Sequence, residues 1–320
     1  MPYDLIIIGS GAAGLGAAIY SGRYRAHALV IGREFGGETA KAGTIENYPG
    51  FQSINGYELM DLMKQQATSL GVKLLDAEVT SVARQAHCFT VVAGKKTYKT
   101  KTILFAVGAE YRRLGLPNEK ELTGRGIHYC VTCDGPVYTG KTIALVGGGD
   151  TAVKGAVMAA DYVKKIFLIA REKKLTAEPI NLEHLKKIGN KIEIILKTEV
   201  KQLVGRDKLE KIILSRPRQG SAELKIDGLF VEIGSVPNSQ LAESLGATLD
   251  DQGYIKVNNL MQTNIDGVFA AGDAVNHFGP FKQAITSAAM GAVAATSAYN
   301  DVKLHSELCR WHTRPAMTKK

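Results

Sequence analysis

The chain has 320 residues, of which 45% are hydrophobic, so it is long enough for two domains with a sizeable core in each. Its net charge is +9, and because no nucleic-acid-binding motif accompanies the basic residues, we expect no nucleic-acid partner. Four cysteines are too few for a secreted chain of this size held together by disulfides. The opening residues, MPYDLIIIGS, enter an apolar strand directly, and no apolar run reaches about 18 residues. We therefore expect a cytoplasmic protein with no cleaved leader and no membrane partner.

The first predicted element is a βαβ unit with a glycine-rich turn. The apolar run YDLIII is typical of a parallel strand buried on both faces, and a small-residue helix follows it. Between them, Gly9 permits a tight turn, Gly11 leaves room for a pyrophosphate and Gly14 allows the helix to pack closely on the strand. A second strand, HALVIG, precedes Glu34, which is placed to bind a ribose hydroxyl. The pattern predicts a dinucleotide site.

Residues 130–135 read CVTCDG, and three interpretations of the two cysteines compete: half of a metal site, a redox-active disulfide, or two inert thiols. A structural zinc site needs four ligands, whereas Cys88 and Cys309 are remote in sequence and only His128 is nearby. A redox disulfide is therefore favoured, and we expect no metal. On the first turn of a helix, such cysteines lie close enough to bond, and the helix N-terminus stabilises the attacking thiolate. Asp134 could move a proton during exchange, although an acid before glycine is also a typical turn residue.

The stretch KTIALVGGGDTA repeats the strand and glycine turn of the N-terminus. Gly147 and Gly149 correspond to the first two glycines, and Ala152 takes the third position, where alanine is also accepted. Two such turns in one chain imply two dinucleotides, one of which can be FAD. The alternative is an ordinary α/β protein whose second turn binds nothing.

A third pattern lies near the C-terminus, where the short strand in TNIDGVFAAGDA delivers Gly272 and Asp273 at its carboxyl end. Asp273 could bind a polyol, and the start of the next helix, near Gln283 and Ala284, could stabilise negative charge. Small residues along 282–299 predict close packing of this helix against another backbone. Taken alone, an acid after a strand is more often a turn or cap residue.

Taken in order, these motifs resemble those of the low-molecular-weight thioredoxin reductases, the bacterial and archaeal flavoprotein type. The resemblance covers roughly residues 1–300. It implies an α/β fold with two Rossmann-like dinucleotide-binding domains, the second inserted into the first. The matching stretches are the first glycine turn, ENYPGF (46–51), CVTCDG, GGGDTA, GSVPN (234–238) and GVFAAGDAV followed by KQAITSAAMGA.

The resemblance also implies where the domains begin and end. An FAD-binding domain comprises 1–112 and 245–320, and an NAD(P)H-binding domain with the redox cysteines comprises 113–244. The linkers are expected near 108–117 and 236–246, where polar, proline and glycine residues support them independently. The family forms homodimers, so we expect a homodimer here.

Roles for the site residues follow from the same resemblance. Cys133 faces the flavin and receives its electrons, Cys130 attacks the disulfide of a thioredoxin-like protein, and Asp134 is the acid–base residue. One domain carries both the cysteines and the nicotinamide turn, so it is expected to rotate about its linkers. The residues matched to cofactor positions are Gly9, Gly11, Ala13, Gly14, Glu34, Gly37, Asn47, Gly272, Asp273, Gln283 and Ala284 for FAD, and Gly147, Gly149, Asp150, Thr151, Arg171 and Glu172 for NADH or NADPH.

The segment AREKKLT favours NADH over NADPH. Members of the family that are specific for NADPH carry a basic cluster here, in which Arg171 keeps the first arginine. Glu172 replaces the second arginine and Thr176 replaces a later one. A carboxylate at this position can bind both ribose hydroxyls of NADH and repels a 2′-phosphate. Lys173 and Lys174 keep NADPH open as an alternative, since either could bind the phosphate.

Other departures from the family pattern leave alternatives open. His128 stands where a small hydroxyl residue is more usual; a protonated imidazole could lower the pKa of Cys130, but a surface histidine is the simpler interpretation. Lys154 and Gly155 replace two acids after GGGDTA, and Lys282 replaces an arginine. A dithiol oxidase that passes electrons to oxygen, a ferredoxin- or flavin-fed reductase, and a non-catalytic flavin-binding protein therefore remain as alternatives.

Overall fold

The computed structural model describes residues 2–42, 44–85, 88–279 and 281–304. The chain divides into two compact units: unit 1 contains the residues up to Ala109 and those from Pro237 onward, and unit 2 is Glu110–Val236. The first boundary lies three residues, and the second eight residues, before the expected positions after 112 and 244. Which cofactor each unit binds stays a prediction.

The described residues form both strands and helices, and each glycine-rich motif joins a strand to a helix, as predicted. In chain order the strands are β1 (Tyr3–Ile8), β2 (Ala28–Gly32), β3 (Thr44–Ile45), β4 (Ile54–Asn55), β5 (Lys73–Asp76), β6 (Val79–Gln85), β7 (Cys88–Ala93), β8 (Lys96–Phe105), β9 (Ala109–Tyr111), β10 (Ile127–His128), β11 (Thr142–Val146), β12 (Lys165–Ile169), β13 (Ile192–Ile195), β14 (Val200–Val204), β15 (Lys211–Arg218), β16 (Ser221–Lys225), β17 (Gly228–Val231), β18 (Ser235–Pro237) and β19 (Val268–Ala270). The helices are α1 (Ala12–Arg23), α2 (Gly37–Lys41), α3 (Gly56–Ser69), α4 (Glu119–Leu122), α5 (Val131–Asp134), α6 (Asp150–Ala159), α7 (Pro179–Lys187), α8 (Gln240–Ser244) and α9 (Ala284–Leu304).

Unit 1 is built on a parallel sheet in the order β5-β2-β1-β8-β19. Ile6 and Ile7 in β1 are fully buried, as expected for a central strand with both faces covered. The N-terminal part of β8 continues into an antiparallel layer with β7 and β6. The antiparallel strands β6 and β7 therefore come directly before β8, which is the fourth strand of the parallel sheet in chain order.

Unit 2 repeats this plan. Its parallel sheet has the order β13-β12-β11-β17-β10, and an antiparallel sheet, β14-β15-β16, connects β13 to β17. Apolar clusters cover the two faces of the parallel sheet, one including Ile127 and Leu229 and the other including Val153 and Leu168. The expected α/β fold with two Rossmann-like halves is confirmed.

The second boundary differs from the expected one because α8 belongs to unit 1. Ala242 in this helix is fully buried, and Leu241 and Leu245 pack against the core of unit 1. The helix lies inside the stretch 236–246 that was expected to be a linker. The short polar and glycine-containing sequence does not reveal this packed helical turn, so the second connection between the units ends before α8.

Helices α1 and α9 pack at backbone distance, which confirms the expectation from the small residues of α9. A Cβ atom added to Gly291 would lie 1.9 Å from the carbonyl oxygen of Ala13, and one added to Gly16 would lie 2.5 Å from that of Ala288. Only glycine permits this approach at these positions. In the described part of the chain, no helix combines the length and apolar character needed to cross a membrane.

Candidate active site

Cys130 and Cys133 form a disulfide, with their Cα atoms 5.4 Å apart. Cys130 precedes α5, and the backbone N–H of Cys133 donates a hydrogen bond to its sulfur at 3.1 Å. Helix α5 has only four residues, so the N–H of Cys133, rather than a long helix dipole, would be the nearest donor to a thiolate on Cys130. No group of three or more metal-ligating side chains occurs in the described ranges. The pair can therefore perform thiol–disulfide exchange.

Asp134, which follows Cys133, lies within hydrogen-bonding distance of His128. Nδ1 of His128 lies 2.9 Å from Oδ2 of Asp134, and Nε2 lies 2.8 Å from the hydroxyl of Tyr138. The His128 side chain is only 10% exposed, whereas that of Asp134 is 43% exposed. The simpler interpretation of His128 as a surface residue was wrong, because β10 pairs with β17 and the imidazole stacks on Phe230 at 5.3 Å.

Tyr138 stays protonated in this arrangement. Burial raises the pKa of its phenol, and the carboxylates of Asp134 and Asp227 raise it further. A neutral phenol can donate to Nε2 of His128 or accept from it, depending on which ring nitrogen carries the proton. The three side chains therefore form a continuous row of close polar contacts from the carboxylate to the phenol.

The glycine turn of unit 1 has the shape that a pyrophosphate needs. Gly9 has a φ of +112°, and a Cβ atom there would lie 2.1 Å from the carbonyl oxygen of Ala106. A Cβ on Gly14 would lie 1.9 Å from the carbonyl oxygen of Gly9, so helix and strand meet closely. At Gly11 the nearest atom to such a Cβ is 3.8 Å away, on Gly36, and the space over the start of α1 is open. These residues fit the dinucleotide part of FAD.

Residues from both ends of the chain meet beside this turn. A Cβ on Gly272 would lie 2.8 Å from Cβ of Ala13, and one on Gly37 would lie 3.6 Å from Cα of Gly11. Nδ2 of Asn47 donates to Oε1 of Gln283 at 3.1 Å, immediately before Ala284 starts α9. The structure thus brings together most of the residues matched to FAD, although their contact with the cofactor stays a prediction.

Asp273 is a partly buried acid with one hydroxyl partner. The hydroxyl of Ser287 donates to its Oδ1 at 3.2 Å. Burial raises the pKa of Asp273, and the hydrogen bond from Ser287 and the charge of Lys282 oppose this only in part. Burial lowers the pKa of Lys282, whose Nζ lies 4.2 Å from the ring centre of Tyr254. A partly buried carboxylate with spare acceptor capacity fits a ligand that brings hydroxyl donors, such as the FAD polyol.

Glu34 already has a cationic partner in unit 1. Its carboxylate lies 2.9 Å from Nζ of Lys41, and its side chain is 56% exposed. Burial lowers the pKa of Lys41, but the hydrogen bonds that it donates to Glu34 and Glu38 outweigh this effect and the pKa is raised. A ribose hydroxyl at Glu34 would therefore share the carboxylate with Lys41.

The second glycine turn, in unit 2, is also open where a pyrophosphate would lie. Gly147 has a φ of +149°, and a Cβ atom there would lie 2.2 Å from the carbonyl oxygen of Glu232. A Cβ on Gly149 would meet nothing within 4 Å, and Thr151 is exposed in the first turn of α6. Oδ1 of Asp150 accepts hydrogen bonds from the backbone N–H of Glu178 and from Nδ2 of Asn181, so this oxygen ties α6 to α7.

The acid after β12 lies over this turn. A Cβ added to Gly148 would be 3.3 Å from Oε2 of Glu172, and the N–H of Thr176 donates to the carbonyl oxygen of Gly148 at 2.7 Å. The hydrogen bond from Nε of Arg171, at 2.9 Å, lowers the pKa of Glu172. Glu172 is therefore an anion at the turn, with Arg171 exposed beside it.

Sequence reasoning missed three side chains at or beside the predicted site. Tyr138 binds His128, and Ser287 binds Asp273. The hydroxyl of Tyr162 packs where a side chain on Gly135 would lie, 2.1 Å from the added Cβ. No motif marks Tyr138 or Tyr162. Ser287 lies in the first turn of α9, the helix that follows Asp273, and a hydroxyl residue at such a position is a recognisable hydrogen-bonding pattern. Cys309 lies outside the described residues.

Comparisons with known proteins agree with this geometry. The family model for pyridine nucleotide-disulphide oxidoreductases matches residues 3–295. A protein named thioredoxin reductase from Mycolicibacterium smegmatis is 40% identical over 92% of this chain and 95% of its own, and one from Bacillus subtilis is 38% identical over 94% and 95%. The crystal structure of thioredoxin reductase from Lactococcus lactis superposes with a TM-score of 0.89 at 33% identity, covering 94% of this chain and 99% of that one.

Proposed function

This chain belongs to the pyridine nucleotide-disulphide oxidoreductase family, and we propose that it is a thioredoxin-disulfide reductase. The observation that carries the proposal is the Cys130–Cys133 disulfide, which lies in the same unit as a dinucleotide turn. The names of the relatives at 38–40% identity support thioredoxin as the substrate. Dithiol oxidase and ferredoxin- or flavin-fed reductase are not favoured by these names. By the same likeness, we expect a cytoplasmic homodimer.

Unit 1 would hold FAD and unit 2 would hold NAD(P)H. Gly11 and the start of α1 would face one pyrophosphate, and Gly149 and the start of α6 the other, because both positions are open. Asp273 would accept hydrogen bonds from the flavin side chain. When bound, FAD supplies the two-electron transfer between reduced nicotinamide and the Cys130–Cys133 disulfide.

The chain's own residues perform the exchange with thioredoxin. The thiolate of Cys130 attacks one sulfur of the thioredoxin disulfide; that bond breaks, a mixed disulfide forms, and the departing thiolate takes a proton. The thiolate of Cys133 then attacks Sγ of Cys130, which reforms the Cys130–Cys133 disulfide and releases the second thioredoxin thiol. Two electrons and the two protons of the dithiol thereby reach thioredoxin. Asp134, which follows Cys133 directly, transfers the protons.

Anaerobic spectroscopy and thioredoxin turnover test the proposal together. The purified protein should contain one FAD per chain, and reduced nicotinamide should bleach its absorbance. Cys130→Ser should abolish thioredoxin reduction but retain this bleaching, and Cys133→Ser should interrupt transfer between flavin and dithiol. Normal thioredoxin turnover in either variant contradicts the assigned roles. If neither nucleotide bleaches the flavin, the ferredoxin- or flavin-fed reductase or the dithiol oxidase replaces the proposal.

The preferred nicotinamide is NADH in this proposal. The carboxylate of Glu172, which lies over the turn at Gly148, would accept bonds from both ribose hydroxyls and repel a 2′-phosphate. The ratio of kcat/KM for NADH to that for NADPH, at fixed ionic strength, should exceed one and should fall in Glu172→Arg. Glu183→Arg, on the exposed surface of α7, is the matched control for the change of charge. A preference for NADPH in the wild type that Glu172→Arg leaves unchanged refutes this assignment.

A further inference from the structure

We propose that His128, held in place by Tyr138, is a positioning residue for Asp134, the acid that follows the redox disulfide. The inference deepens the proposed function, because it rests on Asp134 being the group that moves protons during thioredoxin reduction. It concerns a residue at which this chain departs from the pattern that its other motifs follow. What carries it is the row of contacts among three side chains within unit 2.

The two nitrogens of His128 are both engaged, and on opposite sides of the ring. Nδ1 lies 2.9 Å from Oδ2 of Asp134, and Nε2 lies 2.8 Å from the Tyr138 hydroxyl. With the proton on Nδ1, the imidazole donates to the carboxylate and accepts from the phenol, so each atom of the row has a matching partner. This tautomer holds one oxygen of Asp134 in place.

Packing fixes the ring in this orientation. The imidazole stacks on Phe230 with ring centres 5.3 Å apart and planes 27° apart, and it meets Tyr138 edge to face at 5.4 Å. Tyr138 in turn meets Phe230 at 5.5 Å. Because the His128 side chain is only 10% exposed and that of Asp134 is 43% exposed, the row leads from the surface into the unit. Such clamping is what a positioning residue needs.

The charges around the row define how it responds to pH. The groups that face His128 are Asp134 and the neutral phenol of Tyr138. Asp227 acts electrostatically on Tyr138, and Nζ of Lys141 lies 5.2 Å from the centre of the Tyr138 ring. Histidine is the side chain that changes charge between about pH 5 and 8. An added proton on Nε2 would sit beside the phenol oxygen, which can turn its hydrogen away and accept.

The row has a defined task in the exchange. When Cys130 loses its proton, the carboxylate of Asp134 accepts it and later gives it to the departing thioredoxin thiolate, so that no proton is lost or gained overall. Donation from Nδ1 of His128 orients the carboxylate to accept, and this contact changes when the imidazole gains a proton. Losing His128 should thus change the pH dependence of this half-reaction and leave nicotinamide-dependent flavin reduction unaffected.

Three variants and one control test the inference in the full-length flavoprotein. His128→Asn keeps an N–H near Nδ1 but cannot titrate, His128→Gln keeps one near Nε2, and Tyr138→Phe removes the far end of the row. His184→Asn is the control, because it deletes an exposed histidine in the same unit. The readout is kcat/KM for thioredoxin from pH 5.5 to 8.5, with anaerobic flavin reduction by nicotinamide measured in parallel.

We expect His128→Gln and Tyr138→Phe to lower kcat/KM for thioredoxin about 3- to 10-fold, a fraction of what a general acid–base residue supplies. His128→Asn should retain more activity but lose the acidic limb of the pH profile, and His184→Asn should match the wild type. Flavin reduction should stay unchanged in all four. A purely structural role for His128 would instead lower the melting temperature and slow both half-reactions while the limb stays in place, and this result overturns the inference.

Nitrogen NMR of labelled histidine gives a second measurement that does not depend on turnover. The signals of His128, assigned by their loss in His128→Asn, should show the proton on Nδ1, and this preference should weaken in Asp134→Asn. A wild type without thioredoxin reductase activity overturns the proposed function itself. A wild type with activity, in which the pH profile of His128→Asn is unmoved or the tautomer carries its proton on Nε2, overturns the inference alone.

Discussion

The hydroxyl of Tyr129 donates a hydrogen bond to Oε1 of Glu119 at 2.8 Å. Glu119 is only 4% exposed, and its two carboxylate oxygens also accept the backbone N–H groups of residues 114–116, at 2.7 to 3.3 Å. A single buried carboxylate therefore holds the first segment of unit 2 against the residue that precedes Cys130. Its charge is matched by four donors, which is the condition for burying it.

We expect Glu119→Gln to destabilise unit 2 by about 2–4 kcal/mol, because the new amide presents donors to backbone N–H groups that need acceptors. The measurement is the midpoint of urea unfolding, followed by circular dichroism with saturating FAD. Glu121→Gln is the matched control on the same helix, since Glu121 is exposed and should shift stability by less than about 0.5 kcal/mol. Equal midpoints for the two variants would contradict this account of Glu119.

Much of the fold could be predicted from the sequence, because the two parallel sheets rest on local patterns. The apolar runs in β1 and β11 and the glycine turns after them mark strand, turn and helix within a few residues. The boundary at Pro237 could not be predicted this way. It depends on whether the short helix α8 finds apolar neighbours in unit 1, which is a property of the packed core rather than of the helix itself.

The site could be predicted only as far as its motifs extend. The disulfide followed from the spacing of Cys130 and Cys133, and the openness at Gly11 followed from the turn pattern. The contact between His128 and Tyr138 did not, because it requires β10 to pair with β17, a strand about a hundred residues later in the chain. Side-chain partners across such long-range pairings leave no periodic signal in one sequence.

Gly291 provides a test of the packing between α1 and α9. An added methyl group would lie 1.9 Å from the carbonyl oxygen of Ala13, and backbone cannot yield as a flexible side chain does. We expect Gly291→Ala to lower the free energy of unfolding by about 1–3 kcal/mol. It should also lower FAD retention, because the open glycine turn leads directly into α1. The measurements are melting temperature and flavin per chain after desalting. Ala289→Ser, exposed on the same helix, should behave as the wild type, and unchanged flavin content in Gly291→Ala would be evidence against the close contact.

The pair formed by Arg218 and Glu193 predicts a dependence of stability on pH. Nε and Nη2 of Arg218 both donate to the Glu193 carboxylate, and these hydrogen bonds lower the pKa of Glu193 from 4.5. A carboxyl whose pKa is lower in the folded state stabilises the fold above its unfolded pKa and loses this contribution as the pH falls through the folded value. Because both side chains are about a quarter to a third exposed, we expect the pair to contribute about 1 kcal/mol to the free energy of unfolding.

The corresponding experiment compares wild type with Glu193→Gln by urea unfolding between pH 7 and pH 3. The variant should be less stable than the wild type above pH 4.5. This difference in the free energy of unfolding should disappear on acidification, because the wild-type carboxyl then becomes neutral as well. Glu183→Gln, an exposed acid in the same unit, should show no gap at either end. A gap that stays constant over the whole range would mean that packing, rather than charge, explains the effect.

We expect replacement of Asp273 to have opposite effects on the stability of the flavin-free protein and on its affinity for FAD. Burial raises the pKa of this carboxyl from 3.8, so ionising it in the fold costs free energy at neutral pH. The cost is present above the folded pKa and disappears as the pH falls below the unfolded value. After removal of the flavin, Asp273→Asn should therefore be more stable than the wild type at pH 7, with the difference vanishing in acid.

The same substitution should weaken FAD binding, by about tenfold or more if the carboxylate accepts a hydroxyl of the flavin side chain. An amide keeps the hydrogen bond from Ser287 but accepts on only one atom and carries no charge. Fluorescence titration of the flavin-free protein with FAD, beside urea unfolding of the same sample, separates the two effects, and Asp251→Asn on the exposed surface is the control. If Asp273→Asn binds FAD more weakly and is more stable without flavin, Asp273 strengthens FAD binding and lowers the stability of the flavin-free protein. Unchanged affinity would remove it from the FAD site, whatever its effect on stability.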